Sequence, residues 1–407
     1  MPIDADVIVV GAGIVGLATA WQVMQRFPTL SLAIIDKERE VAVHQTGRNS
    51  GVIHSGIYYH SGSLKAALCM RGRTQLLDFL RAHEIPFELS GKVIVARSAE
   101  ELPRLHRLFE QGQSNGVKGL QLVDTTSLHL LEPEADGLAA IYSPGTGIVD
   151  YRQVAQAMAN DLTRAGHALL LGRKVDRIRD DRQGVSLCCD GQPTLRARFA
   201  IVAAGLYSDV LAWRSGECRN PRIVPFRGEY WQIRPGRESL VRSMIYPVPD
   251  PEFPFLGVHF TRRLADGTVW IGPNAVLGLS REHYQRHVVA GTRLSELCDT
   301  LTYPGFWRMA SRYWRAGMAE LYRSLVPQAY IQLARQYVPR LLPEDVLPGS
   351  VGVRAQTVDV SGAMSDDFLI TTSHRALFVR NAPSPAATAS LAIGEYIVGS
   401  AQEAFSW

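Results

Sequence analysis

The feature that most constrains this chain is a glycine fingerprint set between a strand and a helix near its start. Residues 4–10 read as a short strand that runs into Gly11-Ala12-Gly13-Ile14-Val15-Gly16, and residues 17–27 continue as an amphipathic helix. A second apolar run, residues 30–35, ends on Asp36, twenty residues after Gly16. This is a βαβ unit of the dinucleotide-binding kind, with its acid in the expected place. Gly11 allows a tight turn out of the strand, Gly13 lets the backbone approach a pyrophosphate, and Gly16 lets the helix pack closely. The helix start, with the N–H groups of Ile14 and Val15, offers partial positive charge to phosphates. Asp36, followed by Lys37, is placed to accept hydrogen bonds from a ribose diol. A glycine turn serving structure alone would not need that acid.

At 407 residues the chain is long enough for two domains, and its 46% hydrophobic and 20% charged residues suit a globular protein. A net charge of +4 without a dense basic run argues against nucleic acid as partner. The cysteines Cys69, Cys188, Cys189, Cys218 and Cys298 are odd in number and form no C-x-x-C pair, which speaks for a reducing compartment. The histidines are scattered without ligand spacing, so no metal is expected. No apolar run reaches about eighteen residues, so no spanning helix is expected. The first residues lead straight into the core strand, which leaves no room for a signal peptide and makes a cytoplasmic location the expectation.

Further along, residues 44–59 form a Gly-, Ser-, His- and Tyr-rich loop with no apolar period. Its backbone polar groups need partners, which a bound cofactor would supply. Helices are predicted over 64–83, 99–115 and 151–165, and strands over 92–96, 168–172, 175–179, 185–189, 196–198 and 199–205. Residues 221–275 read as mostly strand, interrupted by Pro247, Pro249, Pro251 and Pro254; residues 281–338 read as helical. A strand at 376–379, a loop and a final helix over 386–400 close the chain. The implied fold class is α/β (α+β overall). A Rossmann-type nucleotide domain, built from 1–85, 145–220 and 345–407, would carry an inserted substrate domain of mixed β-sheet and helices from 86–144 and 221–344.

Six stretches then carry a resemblance: residues 45–59 (QTGRNSGVIHSGIYY), 225–230 (PFRGEY), 246–251 (YPVPDP), 254–261 (PFLGVHFT), 353–356 (VRAQ) and 381–388 (NAPSPAAT). Together they resemble the L-2-hydroxyglutarate dehydrogenases (oxidases), flavoproteins of the D-amino-acid oxidase and glycine oxidase superfamily. The resemblance covers essentially the whole chain. It implies non-covalent FAD as cofactor and oxidation of L-2-hydroxyglutarate to 2-oxoglutarate, with the electrons passed on to a quinone or to oxygen. Arg354 would then grip the substrate α-carboxylate, since a planar guanidinium pairs with a carboxylate through parallel hydrogen bonds. His54 or His259 would take the hydroxyl proton, and the sequence leaves the choice open. Lys65, Arg227, Tyr58, Tyr59, Tyr230, Tyr246 and Ser384 would complete the dicarboxylate pocket. On the cofactor side, Thr46, Asn49, Ser50 and Gly51 would meet the pyrophosphate and flavin, Val175 the adenine, and Ala204 and Gly205 the turn beneath the pyrophosphate. Pro385 and Ala386, at the start of the last helix, would bring positive dipole to the flavin ring.

Residues 303–342 bear Arg308, Arg312, Arg315, Arg323, Arg335 and Arg340 against few acids. Trp307, Ala310, Trp314, Met318 and Leu321 fall on one helical face. Such a helix either lies peripherally on an anionic bilayer, where a membrane quinone could accept electrons, or buries its aromatics in the protein's own core. Two other functions stay open on the same fold: oxidation of an amino acid or glycerol 3-phosphate, and a non-catalytic flavoprotein.

Overall fold

The computed structural model describes residues 4–181, 183–250, 256–286 and 292–405, and the described strands form sheets of eight, nine and three strands. In the first sheet Ala5–Val10 lies between Leu32–Asp36 and Gln192–Val202, parallel to both. Ala168–Leu171 extends one side and Ala376–Asn381 the other, again in parallel. These strands are runs of Val, Ile, Leu and Ala because both of their faces are covered. Val7, Val9 and Ile34 pack beneath Ile14–Arg26, Tyr151–Arg164 and Ser390–Phe405, whereas Ile8, Val10 and Ile35 face Ile178, Leu187 and Leu211. Each such buried aliphatic side chain contributes roughly 1.5–3 kcal/mol, which keeps the carboxyl ends of the strands rigid beneath the site.

The glycine turn has the close approaches that its residue types permit. Gly11 has φ +114°, and a Cβ there would stand 2.3 Å from the Ala203 carbonyl oxygen. A Cβ on Gly16 would fall 1.9 Å from the Gly11 carbonyl oxygen, so the helix could not dock where it does.

The second sheet is built on Arg222–Ile233 and Val346–Val358, an antiparallel pair running from Arg222 opposite Val358 to Ile233 opposite Val346. Val269–Ile271, Phe260–Arg262, Met244–Pro247, Lys92–Ala96, Ala139–Ser143 and Gln121–Asp124 follow outward. Its far face packs on Pro327–Arg335 through Tyr330, Ile331 and Ala334.

Several elements differ from the sequence expectation. Val346–Val358 lies in the second sheet, although the sequence pattern places 345–407 in the nucleotide domain; its hydrogen-bonding partner is more than a hundred residues away and invisible to local pattern. Residues 196–198 and 199–205 are not separate strands. Gln192–Val202 is continuous, its first half paired with Val185–Cys189 and its second with Ala376–Asn381. Among its described residues, the 281–338 segment forms helices from Leu294–Leu301 onward, through Pro304–Leu325 and Pro327–Arg335. The last helix is Ser390–Phe405, because residues 384–389 are spent in turns, with Ala386 N–H bonded to Pro383 O and Ala389 N–H to Pro385 O. Pro251, Pro254 and Phe255 lie outside the described residues.

Candidate active site

A cleft of about 1310 Å³ runs from the glycine turn to the inner face of the second sheet. This exceeds the roughly 300–1,000 Å³ of an ordinary small-molecule pocket and suits a dinucleotide with a small substrate beyond it. Gly11, Gly13, Ile14, Val15, Asp36, Lys37, Thr46, Asn49, Ser50, Val175, Ala204 and Gly205 line the nucleotide end. Asp36 is anchored by backbone: Ala12 N–H donates to Oδ2 at 2.6 Å and Glu38 N–H to Oδ1 at 2.8 Å. Ile14 N–H donates to Thr46 Oγ1 at 2.9 Å, which fastens the 44–59 loop onto the helix start. The residue ahead of that helix, Gly13, gives it no side-chain cap, so beyond the Ile14 N–H held by Thr46 the opening turn keeps donors for phosphate oxygens.

Gly16 and Gly51 do not line this cleft and are corrected to packing positions. Gly16 serves the helix–strand contact above. A Cβ on Gly51 would come 2.7 Å from the Val149 carbonyl oxygen, and its N–H is held by Asn49 Oδ1 at 2.8 Å.

Sequence reading missed a charge cluster at this end. Lys37 touches Glu38 and lies 2.6 Å from Glu282, while His44 Nε2 lies 2.9 Å from Glu38 and its Nδ1 2.8 Å from Tyr284 Oη. Glu38, His44 and Glu282 bring ligand-type atoms together, which chain spacing did not reveal, and the Lys37 ammonium already supplies positive charge among them.

His54, His259, Arg354, Lys65, Tyr230, Tyr246, Ser384, Pro385 and Ala386 line the other end. His54 follows the short strand Val52–Ile53, and its N–H donates to Thr388 Oγ1 at 3.1 Å. That hydroxyl also meets Tyr151 Oη at 2.9 Å, so Thr388 and Tyr151, neither singled out from sequence, fix the backbone that carries the histidine. His259 donates from Nδ1 to the Gly257 carbonyl oxygen at 2.8 Å, since a carbonyl only accepts, which leaves Nε2 as an acceptor. Its ring lies 4.3 Å from that of Tyr246.

Burial, followed by the charge of Lys92 and then His259 and Lys65, pushes the His54 pKa down to about 3. Burial likewise pushes His259 down to about 3; the Gly257 carbonyl opposes this, and the charges of Arg354 and Lys92 add to it. Both imidazoles are therefore neutral at ordinary pH. Arg354 stands opposite Phe226 in the central strand pair, on the face shared by Gly228, Tyr230 and Gly352.

Three expected pocket residues lie elsewhere. Arg227 is one residue out of phase with Gly228, so the strand's alternation turns it to the opposite face. There it is 3% exposed and paired with Glu229 at 2.8 Å, and Glu229 in turn meets Asn274 and Ser324. Tyr59 packs with Ala66 and Cys69, and Tyr58 turns its ring to Lys92 with a buried hydroxyl that has no partner among the described residues. Lys65 reaches the cleft but is engaged by Asp366 at 2.5 Å.

A dinucleotide cradle opening onto a pocket with two neutral imidazoles beside a guanidinium defines a dinucleotide-dependent oxidoreductase. The chain belongs to the family described as FAD dependent oxidoreductase, matched over residues 6–399, and within it to the L-2-hydroxyglutarate dehydrogenases. It is 47% identical to L-2-hydroxyglutarate dehydrogenase of Indibacter alkaliphilus over 96% of this chain and 97% of that one. It is 42% identical to the mitochondrial L-2-hydroxyglutarate dehydrogenase of Homo sapiens over 98% of this chain and 89% of that one. In fold it is similar to L-alpha-glycerophosphate oxidase of Mycoplasma pneumoniae, solved with FAD bound (TM-score 0.79, 21% identity, 99% and 95% of the two chains). It is also similar to glycine oxidase of Geobacillus kaustophilus (TM-score 0.73, 19% identity, 98% and 95%). FAD is the cofactor, and the open glycine cradle, with no side chain on Gly13 ahead of the helix, fits it.

Proposed function

We propose that this protein oxidises L-2-hydroxyglutarate to 2-oxoglutarate and delivers the electrons to a membrane quinone. The observation that carries the first part is the grouping of His54, His259, Arg354 and Tyr246 at the sheet end of a dinucleotide-sized cleft. Bound FAD supplies the two-electron oxidant for the C2 hydrogen, which leaves as hydride. The chain's own residues do the remainder. Arg354 binds the carboxylate next to C2 and fixes its direction. A neutral histidine takes the hydroxyl proton, and the free Nε2 of His259 and the imidazole of His54 are both in the right protonation state. Buried tyrosines keep water from the reacting carbon. Anaerobic addition of L-2-hydroxyglutarate should bleach the flavin band near about 450 nm, whereas the D-enantiomer and L-glutamate should not. Bleaching by L-glutamate or glycerol 3-phosphate alone would assign the site to one of those substrates instead, and a flavin that none of them bleaches would point to a non-catalytic flavoprotein.

The quinone reading is supported by Pro304–Leu325. Its Phe306 and Met309 are buried, but Trp307, Trp314, Met318, Tyr322 and Leu325 are between 57% and 63% exposed, so both tryptophans lie outside the protein's own core. Arg312 and Tyr313 of the same helix line the cleft, so this element joins the cofactor site to the outer surface. Exposed tryptophans with flanking arginines suit the headgroup region of an anionic bilayer. Among the described residues no helix is long and apolar enough to cross a membrane, so contact would be peripheral. Protein that stays in the supernatant with anionic liposomes at low salt, and reduces oxygen as fast as a quinone, would remove this second part.

A further inference from the structure

Lys92 opens the strand Lys92–Ala96 and is 1% exposed. Strand alternation sends Val93 and Val95 into the far core and leaves Ile94 and Ala96 on the face of Tyr246 and Met244, where Lys92 also points. Its ammonium lies 4.4 Å from the ring centre of Tyr58 and 4.7 Å from that of Tyr246. Tyr246 is itself a wall of the cleft, so Lys92 stands one ring behind the substrate end. Among the described residues no carboxylate acts on it. A buried ammonium set against aromatic rings is costly to keep, and such charges are ordinarily paired. Lys65, by contrast, already has Asp366.

We propose that Lys92 is a specificity-determining residue for the second carboxylate of the substrate, attracting it through the wall formed by Tyr246 while Arg354 holds the carboxylate beside the reacting carbon. This rests on the functional reading above. A unit charge at about 7 Å in a medium of effective dielectric about 20 changes binding by roughly 50-fold. A monocarboxylic 2-hydroxy acid gains none of it.

The charge is linked to pH. Burial pushes the Lys92 pKa down to about 7, with Cys69 acting in the other direction. The groups facing it are Tyr58, Cys69, Lys65 and His54 from residues 54–69, Tyr246 from its neighbouring strand, and His259 and Arg354 across the pocket. Burial holds both tyrosines above their ordinary range, Cys69 at about 12 and both histidines at about 3. A bound dianion favours the ammonium, so binding takes up a proton and weakens as pH rises from about 7 to about 9.

The test compares L-2-hydroxyglutarate with L-2-hydroxypentanoate, which has a methyl group in place of the distal carboxylate, on FAD-loaded wild type and Lys92→Met. The variant should raise KM for the diacid by roughly 30–100-fold with kcat nearly unchanged, and leave the monoacid unaffected, so that the preference collapses. Parallel losses on both substrates, or no loss on either, would overturn the assignment. If the variant does not retain FAD, wild-type holoenzyme is titrated with 2-oxoglutarate and with 2-oxopentanoate between about pH 6 and 9, following the flavin absorbance. Weakening of the diacid alone, by roughly tenfold per pH unit above about 7, supports the role; the same pH response for both ligands, or none, refutes it. Failure of the wild-type enzyme to oxidise L-2-hydroxyglutarate is seen before any variant is made and strikes the functional reading, taking this role with it.

Discussion

At the nucleotide end of the cleft Lys37 is matched by Glu38 and Glu282, and Arg293 lies 3.4 Å from Glu296. At the substrate end Lys92 faces two tyrosine rings, two histidines are held neutral, and Asp366, which pairs with Lys65, is 82% exposed at the rim. The first region is electrically balanced and can hold its ligand through backbone donors, shape and the helix start. The second carries, at Lys92, a positive charge that no carboxylate among the described residues offsets, which a doubly charged acid would compensate. One end is thus complete without the substrate; the other is completed by it.

Breaking the substrate end should cost most. Arg354→Met should lower kcat/KM by about 1000-fold, equivalent to about 4 kcal/mol, with flavin content unchanged in the absorbance spectrum; loss of flavin instead would make Arg354 structural. Arg227→Met sharpens the contrast, because Arg227 is on the same strand pair but on the other face. It should destabilise the fold by about 3 kcal/mol in thermal or denaturant unfolding while leaving KM unchanged in the molecules that fold. A raised KM would return Arg227 to the pocket.

Replacing the histidine that takes the proton by Asn should lower kcat by about 100-fold, and stopped-flow flavin reduction by the two single variants decides between His54 and His259. The folded pKa of each, about 3, lies below the ordinary 6.5. The unfolded chain therefore binds more protons, and the stability present above 6.5 is lost as pH falls toward 3, by about 1.4 kcal/mol per unit for each histidine. The melting temperature should fall on acidification below about pH 6, and less so in each Asn variant, whereas flavin reduction in the folded enzyme should show no histidine titration there. The smallest effect is expected at the balanced end. Lys37→Met should weaken FAD binding only a few-fold, about 1 kcal/mol or less, in an apoprotein titration.

What could be read from the sequence follows from the range of the forces involved. The βαβ unit was legible because Gly11 and Gly16 are demanded by backbone conformation and close approach, and because Ile8, Val9 and Ile34 must be buried on both sides of a sheet. His54, His259, Arg354 and Tyr246 came from motif resemblance, and the fold brings them to one cavity. Arg227 sits in an equally particular motif but fell on the wrong face, a distinction of one residue that only the register with Val353 settles. Lys92 looked like an ordinary lysine at the head of a strand; its significance lies in Tyr58 and Tyr246, brought to it from distant parts of the chain. The Lys37–Glu282 pair and the Val346–Val358 strand were hidden for the same reason.

The most direct measurement is a crystal structure of the FAD-loaded protein with 2-oxoglutarate. The account predicts one carboxylate on Arg354, the C2 oxygen within hydrogen-bond reach of His54 or His259, and the second carboxylate against Tyr246 on the side of Lys92. A ligand whose second carboxylate pairs with Lys65 at the rim, or that leaves Arg354 untouched, would contradict it.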